Sequence, residues 1–148
     1  PYYGLTVSNR SGPSVEAAEV TVLGGSGYKL PTDGEWTWLC TAGVPWDYHF
    51  GKSSDELPKY AWFEGSSGGR THRGGELLPN TWGLSDTHGN VREWVENQST
   101  KADTGAPERV HRGGNWANPA SSCAVGNRPR YDPAYRSQAI GLRVARVP

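Results

Sequence analysis

Two cysteines, Cys40 and Cys123, and four histidines, His49, His72, His88 and His111, are the residues of this chain best suited to bind a metal or act as nucleophile and base. Two thiols allow one disulfide, one pair of metal ligands or two free thiols, and their positions do not choose among these. The histidines show no ligand spacing such as H-x-x-x-H. Serine, histidine and aspartate are all present, but no nucleophile-elbow context surrounds any serine. Gly65-Ser66-Ser67-Gly68-Gly69-Arg70 is glycine-rich. It is followed by Thr71-His72 rather than the Lys-Ser/Thr of a phosphate loop, so it reads as a turn. Spacing alone therefore points to no catalytic constellation.

The elements that must position these residues are few. Thr32 is a plausible N-cap, and Glu35, three residues on, completes a capping box. Trp36, Leu39 and Cys40 follow at i, i+3 and i+4, one buried face of a helix over 33–42. Gly43 and Pro45 stop it. Residues 1–29 read as loop and short strand, with a β-prone run at Val20 and Val22 that ends at Gly24-Gly25-Ser26-Gly27. Residues 43–85 lack periodicity yet carry Trp46, Tyr48, Phe50, Tyr60, Trp62, Phe63 and Trp82. Such a stretch is too long for an ordinary loop and must fold back on a core, and packed irregular loops often carry function. Residues 91–95 and 109–112 read as strands, the second leading into Gly113-Gly114-Asn115-Trp116 as a further strand with a glycine break. Residues 140–147 alternate cleanly, as a half-buried terminal strand does. Between these strands, 117–139 is a polar excursion punctuated by proline.

The 148 residues fit one domain, 1–148, able to bury roughly two thirds of its unfolded surface. Glycine and proline make 31 residues, methionine is absent, and seven tryptophans and seven tyrosines supply the bulk. The composition suits a loop-rich domain in which turns outnumber long helices, and the one helix with short strands read along the chain makes it α+β. Net charge is zero, so no global field draws nucleic acid or membrane. Residues 101–148 hold eight Lys/Arg against three Asp/Glu. Without aromatic or lysine clustering this reads as a solvated, arginine-rich surface and not as a nucleic-acid patch. No apolar run approaches the ~20 residues of a membrane span, and no signal peptide is visible.

Four blocks in order resemble the formylglycine-generating-enzyme (sulfatase-modifying-factor) domain family. They are Leu30-Pro31-Thr32-x-x-Glu35-Trp36, then Asn80-x-Trp82-Gly83-Leu84-x-Asp86-x-His88-Gly89-Asn90-Val91-x-Glu93-Trp94. Arg109-Val110-x-Arg112-Gly113-Gly114-x-Trp116 and Ile140-Gly141-Leu142-Arg143-Val144-Ala145 follow. The match covers about residues 20–146. It implies a C-type-lectin-like fold, and family members usually carry more sequence upstream, so the chain is expected to be truncated at its N-terminus or reduced.

Catalytic members of that family oxidise a substrate cysteine with copper held by two cysteines, and copper(I) wants soft thiolates. The resemblance sets Asn118 and Cys123 at those two positions. Asn115 stands for the usual serine after Gly-Gly, and Arg92 for the tryptophan before Glu-Trp. One thiol and an amide make a poor copper(I) site, so no copper and no catalytic residue are expected. Cys123 then packs as a small buried hydrophobe or pairs with Cys40. The same resemblance implies a calcium site from Asp86, Gly89, Val91 and Glu93, two carboxylates and two carbonyls, which waters or other groups must complete to six to eight oxygens. The plainer reading has Asp86 capping the His88-Gly89 turn and Glu93 pairing with an arginine. A second family calcium site near 61–72 is not matched, because Trp62 stands where an oxygen-bearing side chain is expected.

In 117–139 the frame Trp116, Cys123, Asn127-Arg128, Pro133, Arg136 and Ile140-Gly141 is kept. The family's asparagine-rich positions hold Ala117, Ser122, Pro129, Tyr131, Tyr135, Ser137 and Ala139. This pattern resembles the variable region of diversity-generating-retroelement proteins, which diversify adenines in asparagine codons on the same scaffold. All seven residues are reachable by changing only the adenines of an AAC codon. Tyrosines beside small residues also resemble a binder's paratope, since Tyr gives amphipathic contact area at low entropy cost. The ligand-binding set is therefore Ala117, Asn118, Ser121, Ser122, Pro129, Tyr131, Tyr135, Ser137 and Ala139. The ligand expected is a protein or cell-surface group, met at a cell surface, on a phage particle or in secreted form. The competing readings are a drifted loop whose tyrosines close the core, a copper oxidase, or an accessory domain of a larger signalling protein.

Overall fold

The computed structural model describes the backbone of residues 3–11 and 14–148, and side chains at Thr21 and from Leu23 onward. In chain order the strands are β1 (Tyr3–Ser11), β2 (Ser14–Val22), β3 (Gly27–Lys29), β4 (Arg92–Thr100), β5 (Pro107–Arg112), β6 (Arg130–Tyr131), β7 (Ile140–Leu142) and β8 (Ala145–Val147). One α-helix, α1, spans Asp33–Thr41. The chain divides into two compact units, Pro1–Leu30 with Val144–Pro148, and Pro31–Arg143.

In the first unit β1 and β2 form a long antiparallel hairpin, with register shifts on either side of Asn9. The expected loop with a short strand is thus mostly strand. Its register sets Tyr3 opposite Val22 and Leu5 opposite Val20. β3 pairs antiparallel with β8. The terminal strand expected over 140–147 is broken at Arg143-Val144, and its halves find different partners. Leu142 and Val144 are exposed, so the clean alternation there does not report a buried face.

In the second unit α1 begins as its sequence dictates. Thr32 Oγ1 accepts from the Glu35 amide and Glu35 Oε2 accepts from the Thr32 amide. The helix ends at Ala42 in the left-handed region, one residue before the expected glycine. Asn80 satisfies its last turn: the side-chain amide donates to the Leu39 and Cys40 carbonyls, which have no partner inside the helix. Trp36, Cys40, Val95, Val110 and Val125 form one core cluster; Tyr48, Leu57, Ala61 and Cys123 form another.

The sheet has the order β6-β5-β4-β7, with β7 parallel to β4 and the other pairs antiparallel. Side chains alternate across it. Glu93 and Val95 of β4, with Val110 and Arg112 of β5, share the face that meets α1. Glu93 accepts from the Trp36 indole at 2.7 Å, and Arg112 lies over the same indole, its Nε 3.0 Å from Asp33 Oδ1. Arg92 and Trp94 share the other face with His111, which stands opposite Trp94. β4 runs longer than the expected 91–95, and β5 stops at Arg112. Gly113 and Gly114 both take left-handed φ, so no strand continues through them. A Cβ at Gly114 would lie 2.6 Å from Cys123 Sγ, so the backbone needs glycine there twice over.

Two predictions follow from this core. Thr32→Ala removes one half of the capping box, about 1 kcal/mol, and should lower the melting temperature by roughly 2–4 °C. His88 and His111 are fully buried, and burial first of all pushes each down to about 4. The unfolded chain binds their protons near 6.5, the folded chain only near 4. Stability is therefore full above 6.5 and falls as pH drops through that window, by on the order of 1 kcal/mol per pH unit for each histidine. Denaturant melts at pH 7 and pH 5 measure it, and equal stability at the two would contradict the buried, neutral assignment.

Candidate functional site

Tyr131 on β6 and Tyr135 beyond it are exposed, at 40% and 45%, and stack on each other with ring centroids 4.8 Å apart. The short strand β6 exists because its residues pair with Arg109 and Val110 of β5. That register brings Tyr131 onto the same face as His111, two residues along β5 from its partner Arg109, and the rings stack at 4.5 Å. His111 in turn meets the edge of Trp94 at 4.8 Å. A row of rings thus runs from the buried His111 out to the surface at Tyr135.

Beside this row is a cavity of about 80 Å³ whose lining includes Arg92, His111, Asn118, Tyr131, Tyr135 and Ser137. Arg92 is buried; Nη1 donates to Asn127 Oδ1 at 3.2 Å and its amide to the Ala139 carbonyl at 2.9 Å. Both ring nitrogens of His111 and the Oδ1 of Asn118 are buried and have no hydrogen-bond partner among the described residues. Asn118 is fixed by its backbone, which donates to the Asn115 carbonyl and accepts from the Glu64 amide. Asn115 Oδ1 takes the Ala117 amide at 2.9 Å.

The nine expected binding residues separate by exposure. Ala117, Ser121, Tyr131 and Tyr135 are exposed; Asn118, Ser122, Pro129 and Ser137 are half-buried. Ala139 is a correction: it is buried, with its carbonyl engaged by the Arg92 amide and its own amide on Ser137 Oγ, and offers no surface. Only Asn118, Tyr131, Tyr135 and Ser137 of the nine line the cavity. Arg92 and His111 were missed as site residues. Arg92 stood out in sequence only as a departure from tryptophan, and the register of β4 against β5 is what sets it beside His111.

Both thiols sit in the core, without a disulfide. Cys40 and Cys123 are both free and fully buried. Burial, the largest influence on each, pushes both thiols up to about 12. Cys40 Sγ sits 3.5 Å from the Thr87 carbonyl, and His88 Nδ1 donates to the Cys123 carbonyl at 2.8 Å. Cys123 packs with Tyr48, Leu57 and Ala61 as a small hydrophobe.

The expected calcium ligands fit only in part. Asp86 takes a left-handed φ of 56°, with Oδ2 accepting from the Gly75 amide at 2.7 Å instead of capping the His88-Gly89 turn. Its Oδ1 is buried and unpartnered, as a metal ligand's would be. Glu93 does not fit. Arg143 Nε and Nη2 donate to its two oxygens at 2.8–3.1 Å and the Trp36 indole adds a third donor. A dication there would sit beside a guanidinium. Asp86, Val91 and Glu93 do line one open pocket, of about 480 Å³, but Arg143 lines it too. Gly89 does not line that pocket, and its amide donates to the Gly113 carbonyl. Among the described residues no cluster of three His, Cys, Asp or Glu side chains forms a metal site. No helix among them is long and apolar enough to cross a membrane.

Comparison with known proteins agrees with this architecture. Treponema denticola variable protein 1 superposes with a TM-score of 0.75 at 36% identity, over 88% of this chain and 51% of its own. PvdO from Pseudomonas aeruginosa superposes with a TM-score of 0.70 at 30% identity, over 82% of this chain and 53% of its own. The inactive C-alpha-formylglycine-generating enzyme 2 of Mus musculus is 31% identical over 80% of this chain and 43% of its own length. The chaperone protein LppX of Paenibacillus barcinonensis is 26% identical over 83% and 50%. The chain thus spans about half the length of these relatives. Its fold is the α+β, C-type-lectin-like one of its structural neighbours. The model of the sulfatase-modifying factor enzyme 1-like domain matches residues 3–148, and the chain belongs to that formylglycine-generating-enzyme family.

Proposed function

We propose that this chain is a non-catalytic binding module that presents the surface of 117–139 to a protein or cell-surface ligand. One observation carries the reading: Tyr131 and Tyr135 are exposed together, stacked, on a segment anchored from below by His111. Rigid, half-exposed tyrosines beside small residues give contact area at little entropic cost. Had the tyrosines closed the core, the drifted-loop reading would stand. The likeness to Treponema denticola variable protein 1 supports diversification of this segment. An asparagine, Asn118, where the oxidase needs a second cysteine supports a site without copper chemistry. A cell surface, a phage particle or the secreted fraction suits such a role.

A display library tests this directly. Residues 117, 118, 121, 122, 129, 131, 135 and 137 are randomised and the library is panned against lysozyme as an arbitrary protein target. Most clones should stay folded and some should bind lysozyme specifically. General unfolding of the clones, or no binder from a well-folded library, contradicts the reading. In the same vein, sibling copies of the gene should differ at these positions and little at Trp116, Cys123 or Arg128.

Calcium is proposed only as a weak ligand of Asp86 and neighbouring carbonyls, since Glu93 is committed to Arg143. A single carboxylate places the affinity near or above roughly 10⁻³ M, the weak end for protein calcium sites. Excess chelator should therefore move the melting temperature by less than about 1 °C, within scatter on the scale set by ΔΔG/ΔS. A fall of several degrees, restored by calcium and lost in Asp86→Asn, would show that the four-ligand site forms.

A further inference from the structure

The cavity beneath the tyrosines combines features that point to one kind of ligand, and this inference rests on the binding reading above. Its cation, Arg92, is buried, and no carboxylate lines the cavity with it. Arg92 Nη1 is spent on a neutral amide oxygen. Buried guanidinium groups usually meet a carboxylate or phosphate, with which two parallel N–H bonds form. One cation matches one negative charge, so a monoanion fits better than a phosphate dianion.

The unpartnered atoms add a second requirement. Neutral His111 has one N–H donor and one acceptor nitrogen, and Asn118 Oδ1 is a further acceptor. Buried polar atoms left without hydrogen bonds are costly, so a ligand that serves them gains by it. The ligand must bring an acceptor for Arg92 and for one His111 nitrogen, and a donor for Asn118 Oδ1 or the other. At about 80 Å³, against the roughly 10–15 Å³ of such space that a single water needs, the cavity has room for a carboxylate and the N–H group beside it. The rest of the ligand must lie outside, against the exposed end of the ring row at Tyr135.

We propose that this cavity takes a carboxylate with an N–H one carbon away and a flat or apolar group beside it, the chemistry of a peptide C-terminus or an N-acylated amino acid. The carboxylate meets Arg92 and His111, the N–H meets Asn118 Oδ1, and the terminal side chain lies on Tyr135.

The test uses the folded chain and four probes, with binding followed by calorimetry and by the ring proton signals of His111 and Tyr135. The probes are N-acetyl-L-phenylalanine, its C-terminal amide, 3-phenylpropionate, and a hexapeptide ending in phenylalanine with a free carboxylate. N-acetyl-L-phenylalanine should bind, and the amide at least about tenfold more weakly, the worth of one charge-assisted pair. Phenylpropionate should fall a few-fold short of N-acetyl-L-phenylalanine for lack of the N–H, and Asn118→Ala should erase that gap. A hexapeptide that binds more tightly than N-acetyl-L-phenylalanine identifies a protein terminus as the natural ligand; equal binding identifies a small acid. Arg92→Lys keeps the charge and loses the fork, and should weaken the acid about tenfold with the melting temperature recorded alongside. If Arg92→Lys does not fold, the acid-against-amide comparison on the unaltered chain still decides. Equal binding of acid and amide, or no signal change with any probe on the folded chain, overturns the proposal. That result would leave a library of lysozyme binders untouched, so the two readings fail separately.

Discussion

The second unit is organised around one buried carboxylate. Glu93 is 6% exposed and receives three donors, the indole of Trp36 and two nitrogens of Arg143. Through Trp36 it fixes α1 against β4. Through Arg143, whose Nη2 also donates to the Ser85 carbonyl, it ties the end of β7 to the irregular segment before β4. A buried charge survives only when paired and hydrogen-bonded, and removing one partner costs far more than the pair itself contributes. Trp36 is shared with Arg112, which is 1% exposed and reaches Asp33, Thr37 Oγ1 and the Asn127 carbonyl. Helix, sheet and the middle of the binding segment thus converge on a few polar contacts that an all-apolar core would not direct so narrowly.

That arrangement separates the two faces of the sheet. The face toward α1 carries the ion pairs and most of the first core cluster. The other face carries Arg92, Trp94 and His111, where polar atoms are left without partners and the surface opens at the tyrosines. A rigid frame with an adaptable outer surface is what a binding module needs. Within 117–139 the residues from 130 to 136 form one exposed run, which includes both tyrosines. Cys123 and Val125 point into the two core clusters, while Ala117, Ser121 and Tyr131 do not.

Much of this was legible in sequence, and the reasons differ by element. The capping box at Thr32 and Glu35 is a local interaction of residues three apart, so spacing revealed it. The strands β4 and β5 announced themselves by composition, though their ends did not, because Gly113-Gly114 acts by left-handed φ and close approach to Cys123. The 140–147 run misled. Its alternation is real, but the chain breaks where Arg143 is drawn to Glu93, a contact 50 residues apart that periodicity cannot see. The exposure of Tyr131 and Tyr135 followed from their polar, proline-rich setting. Ala139 did not, since a small residue reads alike on a surface and under a backbone hydrogen bond. Arg92 and His111 could be joined only once β4 and β5 were in register. Glu93 was legible as an acid with a partner, and the choice between calcium and arginine needed the position of Arg143.

The central claim is that stability resides in the Glu93 and Arg112 networks and that the 117–139 surface is free of that duty. A protease-resistance scan of single substitutions across the whole chain tests it most directly. Glu93, Trp36, Arg143, Arg112 and Asp33 should tolerate almost nothing, while Ala117, Ser121, Tyr131 and Tyr135 accept most residues with little loss. Intolerance at the exposed tyrosines comparable to that at Glu93 and Trp36 would contradict the account.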